Sequence, residues 1–179
     1  MTLKRIANIG CGNDYLQDAI NIDLYAEKAD VRHDLNVFPY PFSDSYFEEI
    51  RAYNVIEHMD DVIQVMREIH RIGTDGCLVH LRVPHFRSAC LYEDLTHRHG
   101  FAWRSLDIFI DGGSVYGNYA SFKYEIVSRE YTPYILPILY KLLSKMPVLT
   151  DNFLSKFVPM ASIAFILKVV KPGSTKSAG

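Results

Sequence analysis

The chain has 179 residues, 49% of them hydrophobic, which is enough for one buried core and within the usual range for one domain. With 19 Lys and Arg against 21 Asp and Glu, the formal charge of -2 provides no global positive field for polyanions, and nucleic acid is not expected as a partner. Three cysteines, Cys11, Cys77 and Cys90, form no CxxC pair, a sparse odd set that suits free thiols in a reducing, cytoplasmic compartment better than a disulfide framework.

From Met1 to Arg5 the chain runs straight into an apolar stretch without the cleavage pattern of a secretion signal. Short β-rich runs then alternate with helical or turn segments, the order expected when helices cover both faces of a mostly parallel sheet, so the class is α/β. Strands are predicted near 5–9, 20–24, 31–34, 49–54 and 78–83, with two longer ones near 122–131 and 162–170. The clearest helix covers 61–72, where Val62, Val65, Met66, Ile69 and Ile72 recur at helical spacing, Asp60 and Asp61 can cap the start, and Gly73 can end it. A second helix is predicted from Ser105, and Gly112 and Gly113 break the chain before the sixth strand.

Residues 133–160 read as an apolar helical insertion before the last strand. Ile135, Leu139, Leu142, Leu143 and Met146 form one stripe, with Lys141, Ser144 and Lys145 opposite. Thr150 or Asp151 can cap a further short helix bearing Phe153, Leu154, Phe157 and Val158 on one side. Packing onto the core, a lid, a peripheral membrane contact through 135–158 and a homodimer contact are all compatible with that pattern. No stretch approaches the ~20 uninterrupted apolar residues of a membrane span. Residues 172–179 are polar and aperiodic and read as a disordered tail, which leaves 1–171 as a single domain.

The first chemical motif is Asn8-Ile9-Gly10-Cys11-Gly12, directly after a strand, where two glycines let the backbone turn and a ligand approach closely. Asp23 ends the next predicted strand, where a carboxylate can take both hydroxyls of a ribose, and Asp34 ends the third. Taken singly, these features read as a tight turn and loop caps. With Asn21-Ile22-Asp23-Leu24, His33-Asp34-Leu35, the run from Pro41 to Phe47, and Tyr53-Asn54-Val55-Ile56-Glu57-His58, they form an ordered set over about the first two thirds of the chain. That set resembles the class I S-adenosylmethionine-dependent methyltransferases, in particular the small enzymes of the methyltransferase type 11 group.

The resemblance implies a Rossmann-like sheet of seven strands, mostly parallel with one antiparallel near the edge. It implies S-adenosyl-L-methionine as cofactor and S-adenosyl-L-homocysteine as product. Gly10 and Gly12 would pass beneath the methionine part, Asp23 would bind the ribose, Asp34 and Leu35 would flank the adenine, and Asn54 would face the amino-acid end. Asn8, Cys11, Leu24 and His58 complete the implied set. One departure stands out, because only about six residues separate Gly12 from the second strand, whereas a parallel crossover takes about a dozen or more. The first helix is therefore expected to be shortened to a vestige, leaving a more open site or one completed by another segment or subunit. The same shortness, with Tyr15 where a third glycine would stand, argues against a dinucleotide-binding unit.

Ligands of open α/β sheets bind beyond the carboxyl ends of the strands, so the segment after Val83 should line the acceptor side. There His85, Arg87, Glu93, Asp94, His97, Arg98 and His99 crowd together. An imidazole can accept a proton at neutral pH, so His85 or His97 is the expected base, with Asp94 as orienting partner. Arg82, Arg87, Arg98 and Arg104 point to a small, lipid-linked or sugar-linked anionic acceptor. A metal set of His97, His99, His85 and Asp94 lacks the strong zinc spacings, so no metal is expected. His33, His70 and His80 read as structural. The alternative to an enzyme is a catalytically degenerate methyltransferase fold that binds protein partners. Amino-methylation of DNA is disfavoured because Tyr53-Asn54-Val55 replaces the Asn/Asp-Pro-Pro-aromatic text of those enzymes.

Overall fold

The computed structural model describes residues 5–110, 120–133, 137–158 and 160–173. Gly112, Gly113, Ile135 and the tail from residue 174 lie outside the described residues. Seven strands form one sheet: β1 (Ile6–Ile9), β2 (Ile20–Asp23), β3 (Val31–Arg32), β4 (Phe47–Tyr53), β5 (Gly73–Pro84), β6 (Lys123–Pro133) and β7 (Met160–Val170). Their order is β3-β2-β1-β4-β5-β7-β6. β1 to β5 pair in parallel, and β7 runs antiparallel to both β5 and β6, one place in from the edge. This is the expected α/β, Rossmann-like arrangement, and its reversal of strand order between β1 and β4 opens the crevice where such sheets hold ligands.

The core follows from the strand and helix patterns. Ile9, Ile22, Ile50, Ala52, Val79, Leu81 and Val83 are buried along the central strands, and Ile163, Phe165, Leu167 and Val169 on alternate positions of β7. Helix α1 (Val62–Ile72) starts where Asp61 accepts the Gln64 amide at 3.0 Å and buries Val65, Met66, Ile69 and Ile72 against the sheet. Gly73 does end it, although not through a left-handed cap. It is extended and opens β5 at once, where an added Cβ would lie 3.1 Å from Val169 and 3.2 Å from Cys77.

Two helix expectations need correction. No helix begins at Ser105; there is only a 3-10 turn at Asp107–Phe109. The connection from β1 to β2 contains no helix at all, not even a vestige. Two buried asparagines take its place. Asn21 Oδ1 accepts from Asn8 Nδ2 and the Leu16 amide, both at 2.9 Å, while Asn21 Nδ2 donates to the Leu16 and Ala19 carbonyls at 2.9 and 3.1 Å and to Asp30 Oδ2. Asn8 Nδ2 also donates to the Asp14 carbonyl at 2.7 Å. A carboxamide carries the same donor and acceptor as a peptide group, so these side chains satisfy backbone groups that a helix would have paired internally.

The insertion folds as α2 (Pro137–Ser144), α3 (Pro147–Asn152) and a 3-10 turn at Leu154–Lys156. Tyr140 and Leu143 are buried, and Thr150 Oγ1 donates to the Leu143 carbonyl at 2.9 Å. Thr150 and Asp151 therefore sit in the last turn of a helix that begins at Pro147, instead of capping a later one. Leu142, Met146, Val148, Leu149, Phe153 and Phe157 remain exposed on the outer face. Among the described residues no helix is long and apolar enough to cross a membrane.

Asn21→Leu is expected to cost about 3–5 kcal/mol in urea unfolding, because it strands several buried backbone groups at once. Asn13→Ala, at an exposed position in the same loop, should change stability by less than about 0.5 kcal/mol.

Candidate active site

A cleft of about 490 Å³ opens at the carboxyl ends of β1, β2 and β4, within the size range of small-molecule sites. Gly10, Gly12, Asp23, Leu24, Asp34, Leu35, Asn54 and His58 line it, together with Tyr25, His33, Asn36, Val55, Met59 and Thr96. Gly10 has φ +63° and Gly12 φ +48°, in the left-handed region that favours glycine. A Cβ on Gly10 would stand 2.3 Å from Val55 Cγ2, so this turn has to pass directly under the end of β4, whereas a Cβ on Gly12 would meet nothing within 4 Å.

Asp23 is the charged centre of the cleft. Its Oδ2 accepts the Gly12 amide at 2.9 Å, and its Oδ1 accepts the Tyr25 and Ala26 amides at 2.8 and 2.9 Å. Burial opposes the charge, but these amides prevail and hold the carboxyl below its ordinary range. The same bonds tie the glycine turn to the end of β2. Across the cleft Asn54 sits at φ +55°, a conformation asparagine tolerates, and its amide donates to the Arg82 carbonyl at 2.8 Å. Asn8 and Cys11 do not line the cleft: both are buried, and Asn8 serves the loop described above. His33, read from the sequence as structural, does line it, with Nε2 2.9 Å from the Val37 carbonyl. His70 Nε2 lies 3.0 Å from the Val170 carbonyl and His80 Nε2 3.8 Å from Glu49, so these two remain structural.

The polar segment after β5 divides into two groups. His85 is fully buried, its Nδ1 accepts the Arg87 amide at 3.1 Å, and its Nε2 faces Asp151 Oδ1 at 3.1 Å. Both ring nitrogens are committed, so His85 is not placed to act as a base. Asp151 also accepts Tyr131 Oη at 2.6 Å and the Trp103 amide at 2.9 Å. This node fastens the insertion to the sheet. Burial works against the Asp151 charge, yet the three donors keep its carboxyl below the ordinary range.

His97 belongs to the second group, at the cleft. The Arg98 and His99 amides donate to the Glu57 carbonyl at 2.8 and 3.2 Å, and the His99 ring Nε2 lies 2.9 Å from the Met59 carbonyl. This pins the loop over the 3-10 turn at Ile56–His58. His97 Nε2 then lies 3.9 Å from Glu57 Oε1, and its ring centroid 4.6 Å from that of His58. Asp94 does not orient His97. Its Oδ1 accepts Thr96 Oγ1 at 2.7 Å, and Thr96 Oγ1 lies 2.9 Å from His58 Nδ1, so the chain of bonds ends on His58. Burial, with His97 alongside, pushes the His58 pKa down, and burial raises the Glu57 carboxyl to about 7.

The metal set of His85, His97, His99 and Asp94 is not brought together, because His85 turns to Asp151 and His99 to Met59. Of the four arginines, Arg98 pairs with Asp60 and Arg104 with Asp107, while Arg82 lies over the Tyr53 ring and Arg87 over Phe86. Sequence reading missed Tyr25, Thr96 and Glu57 as part of the site. Tyr25 was within reach, since it follows Asp23-Leu24 directly. Thr96 and Glu57 carried no local signal, because the clamp between residues 57 and 98 is made by backbone amides.

No family model and no curated protein matches the sequence. Solved structures do match the fold. An S-adenosylmethionine-dependent methyltransferase from Mesorhizobium loti aligns with TM-score 0.60 at 12% identity, over 94% of this chain and 93% of that one. A SAM-dependent methyltransferase from Archaeoglobus fulgidus aligns with TM-score 0.58 at 14% identity, over 93% and 86%. The [4+2]-cyclase SpnF aligns with TM-score 0.55 at 15% identity, over 93% and 75%. The chain therefore has the fold of SAM-dependent methyltransferases, a scaffold shared by a [4+2]-cyclase, so the likeness is one of architecture.

Asp151→Ala is expected to lower stability by about 2–3 kcal/mol at pH 7 in urea unfolding. Because the folded pKa is depressed, the charge-dependent part of that contribution is fully present above the ordinary carboxylate pKa of about 4 and is lost as pH falls through the lower folded value, so the gap between the two proteins should narrow there.

Proposed function

We propose that the chain is an S-adenosylmethionine-dependent methyltransferase using the cleft between β1, β2 and β4. The observation that carries this reading is the Asp23 carboxylate, turned by the Gly12 amide into the same cleft as the Gly10–Gly12 turn, in a methyltransferase sheet. The residues present fit the cofactor. Carboxylate oxygens accept more than one hydrogen bond each, so Asp23 can add a ribose diol to its amide donors. Leu24, Tyr25 and Leu35 offer apolar surface for a purine, Gly12 leaves open space above the turn, and Asn54 supplies a carboxamide at the opposite end. The order of motifs that resembles the type 11 group agrees with this assignment.

When bound, the cofactor supplies an electrophilic methyl carbon that is displaced in line. The protein then has to align an acceptor and dispose of its proton. His58 and Thr96 occupy the cleft wall on the side of the post-β5 loop, with Glu57 and His97 behind them. This corner is the proposed acceptor end, and it takes over the role first expected of His85. Arg82 and Arg87 remain as candidates for an anionic group on the acceptor. The exposed face of Leu142, Met146, Phe153 and Phe157 supports an acceptor carried on a lipid or a macromolecule. That same face is what favours the second reading, a degenerate fold that docks a protein partner. Cys11, Cys77 and Cys90 form no disulfide, and Cys11 and Cys77 are buried, in keeping with a reducing cytoplasmic setting.

Titration calorimetry with S-adenosylmethionine and S-adenosylhomocysteine tests the proposal. Saturable binding is expected, weakened about tenfold to a hundredfold by Asp23→Ala, the value of a hydrogen-bonded charge. No saturable binding by the wild-type chain at millimolar ligand would remove the cofactor and leave the partner-binding reading.

A further inference from the structure

Among the described residues, two buried side-chain oxygens have no hydrogen-bond partner in the protein, Glu57 Oε2 and Asp107 Oδ1. Asp107 Oδ1 lies 2.8 Å from Arg129 Nη2, so its charge is met. Glu57 Oε2 has no such close partner, and the carboxylate's ion-pair contact with His97 is a long one through Oε1. A buried carboxylate oxygen without a donor calls for a specific explanation, an ion among them. Its surroundings supply one, because ligand atoms of Glu57, His58 and His97 all lie within 4.8 Å of one another. No hydrogen bond joins any two of the three, and Glu57 Oε1 stands 3.9 Å from His97 Nε2. Three polar groups thus converge without satisfying each other.

The outer contacts of the two imidazoles give the convergence a direction. His97 Nδ1 lies 3.2 Å from the Leu91 carbonyl, which can only accept, so this nitrogen is the donor, and in the neutral ring the lone pair is on Nε2, the atom 3.9 Å from Glu57 Oε1. His58 Nδ1 faces Thr96 Oγ1, whose own proton goes to Asp94 Oδ1, so His58 too is a donor at Nδ1. A histidine fixed through its far nitrogen by a carbonyl, or by a hydroxyl backed by a carboxylate, is the arrangement that orients metal ligands. Bonds of about 2.0–2.2 Å to nitrogen and oxygen place neighbouring ligands ~3–4 Å apart, so small side-chain movements close the set. His58 and Thr96 line the cleft, which gives an ion its entry path.

We propose that Glu57, His58 and His97 bind a divalent first-row transition-metal ion at the acceptor end of the cleft, and that this ion holds an oxygen acceptor for methylation. The acceptor role rests on the function proposed above; the metal site does not. Two imidazoles and one carboxylate leave coordination positions open and suit Mn2+, Fe2+, Co2+ or Zn2+ better than Ca2+. A coordinated acceptor hydroxyl gives its proton to bulk water more readily than a free one. The new O–C bond then forms as the C–S bond breaks, the electron pair returning to sulfur, with no oxidant or reductant required.

The full-length chain, free of any histidine tag and stripped with a chelator, is titrated with Co2+ and followed by visible absorption, alongside the S-adenosylmethionine titration. One saturable site per chain is expected. Glu57→Gln, His58→Gln and His97→Gln should each weaken it more than about a hundredfold, and Thr96→Val, which removes an orienting contact, about tenfold to a hundredfold. Asp23→Ala should leave it intact. Absence of a saturable site, or a site unmoved by His58→Gln and His97→Gln, would overturn the proposal. His58 stands on the cleft wall, so its variant keeps the test valid if Glu57→Gln fails to fold. Co2+ binding without S-adenosylmethionine binding would keep the metal site and remove its methylation role. Cofactor binding without Co2+ binding would overturn the metal site and leave the methyltransferase reading standing.

Discussion

The carboxamide of Asn21, fully buried between the first two strands, does the work that a helix does in other parallel crossovers. A ten-residue link between parallel neighbours is too short to wind a helix and return, so its peptide groups would be left facing a sheet edge with nothing to bond. Asn21 and Asn8 meet them with side-chain amides, and Asp30 closes the arrangement from the next turn by accepting the Asn21 backbone and side-chain N–H groups. Everything at the cleft depends on this. The Gly10–Gly12 turn hangs on Ile22 through the Gly10 amide at 2.7 Å, and Asp23 is aimed by the Gly12 amide. Had the loop collapsed or spread, Asp23 and the turn would no longer face the same space.

On the other side of β4 the organising device is different. The loop after β5 is locked to the turn before α1 through the carbonyl of Glu57, and to the insertion through Asp151. One lock shapes the polar corner of the cleft; the other fastens a helical segment whose inner residues, Tyr140 and Leu143, join the core while its outer ones stay bare. The division of labour explains why the three histidines of one short span have three fates. His85 is swallowed by the second lock, His97 stands in the corner, and His99 helps to hold it there.

Much of this was legible in the sequence, and the reasons are local. Strands announced themselves as short β-branched runs, α1 by the spacing of Val65, Met66, Ile69 and Ile72, and the cleft by residues lying immediately beyond strand ends. Gly10, Gly12, Asp23 and Asp34 need only chain order to be placed together, whereas Leu35 and Asn54 come from the family resemblance. The illegible part is what requires contacts between distant segments. Nothing near His85 announces that Asp151, sixty-six positions later, will take its ring, and the chain Asp94–Thr96–His58 joins a loop to a turn thirty-eight positions earlier. Helix prediction from Ser105 failed because the segment closes in i to i+3 backbone turns, such as the Ser105 amide to the Ala102 carbonyl, with the Ala102 amide donating to Ser105 Oγ, instead of in an α-helical ladder.

A loop held by hydrogen bonds, with Cys11 as its one buried side chain between residues 10 and 19, differs thermodynamically from the rest of the molecule. Letting it go uncovers hardly any apolar surface, so its opening carries little heat capacity and a shallow dependence on urea. The sheet beneath has the opposite signature. The shape of the cleft and global folding are thus set on separate dials: warming or mild denaturant can act on the core while the turn that lines the cleft is governed mainly by the strength of a few polar bonds.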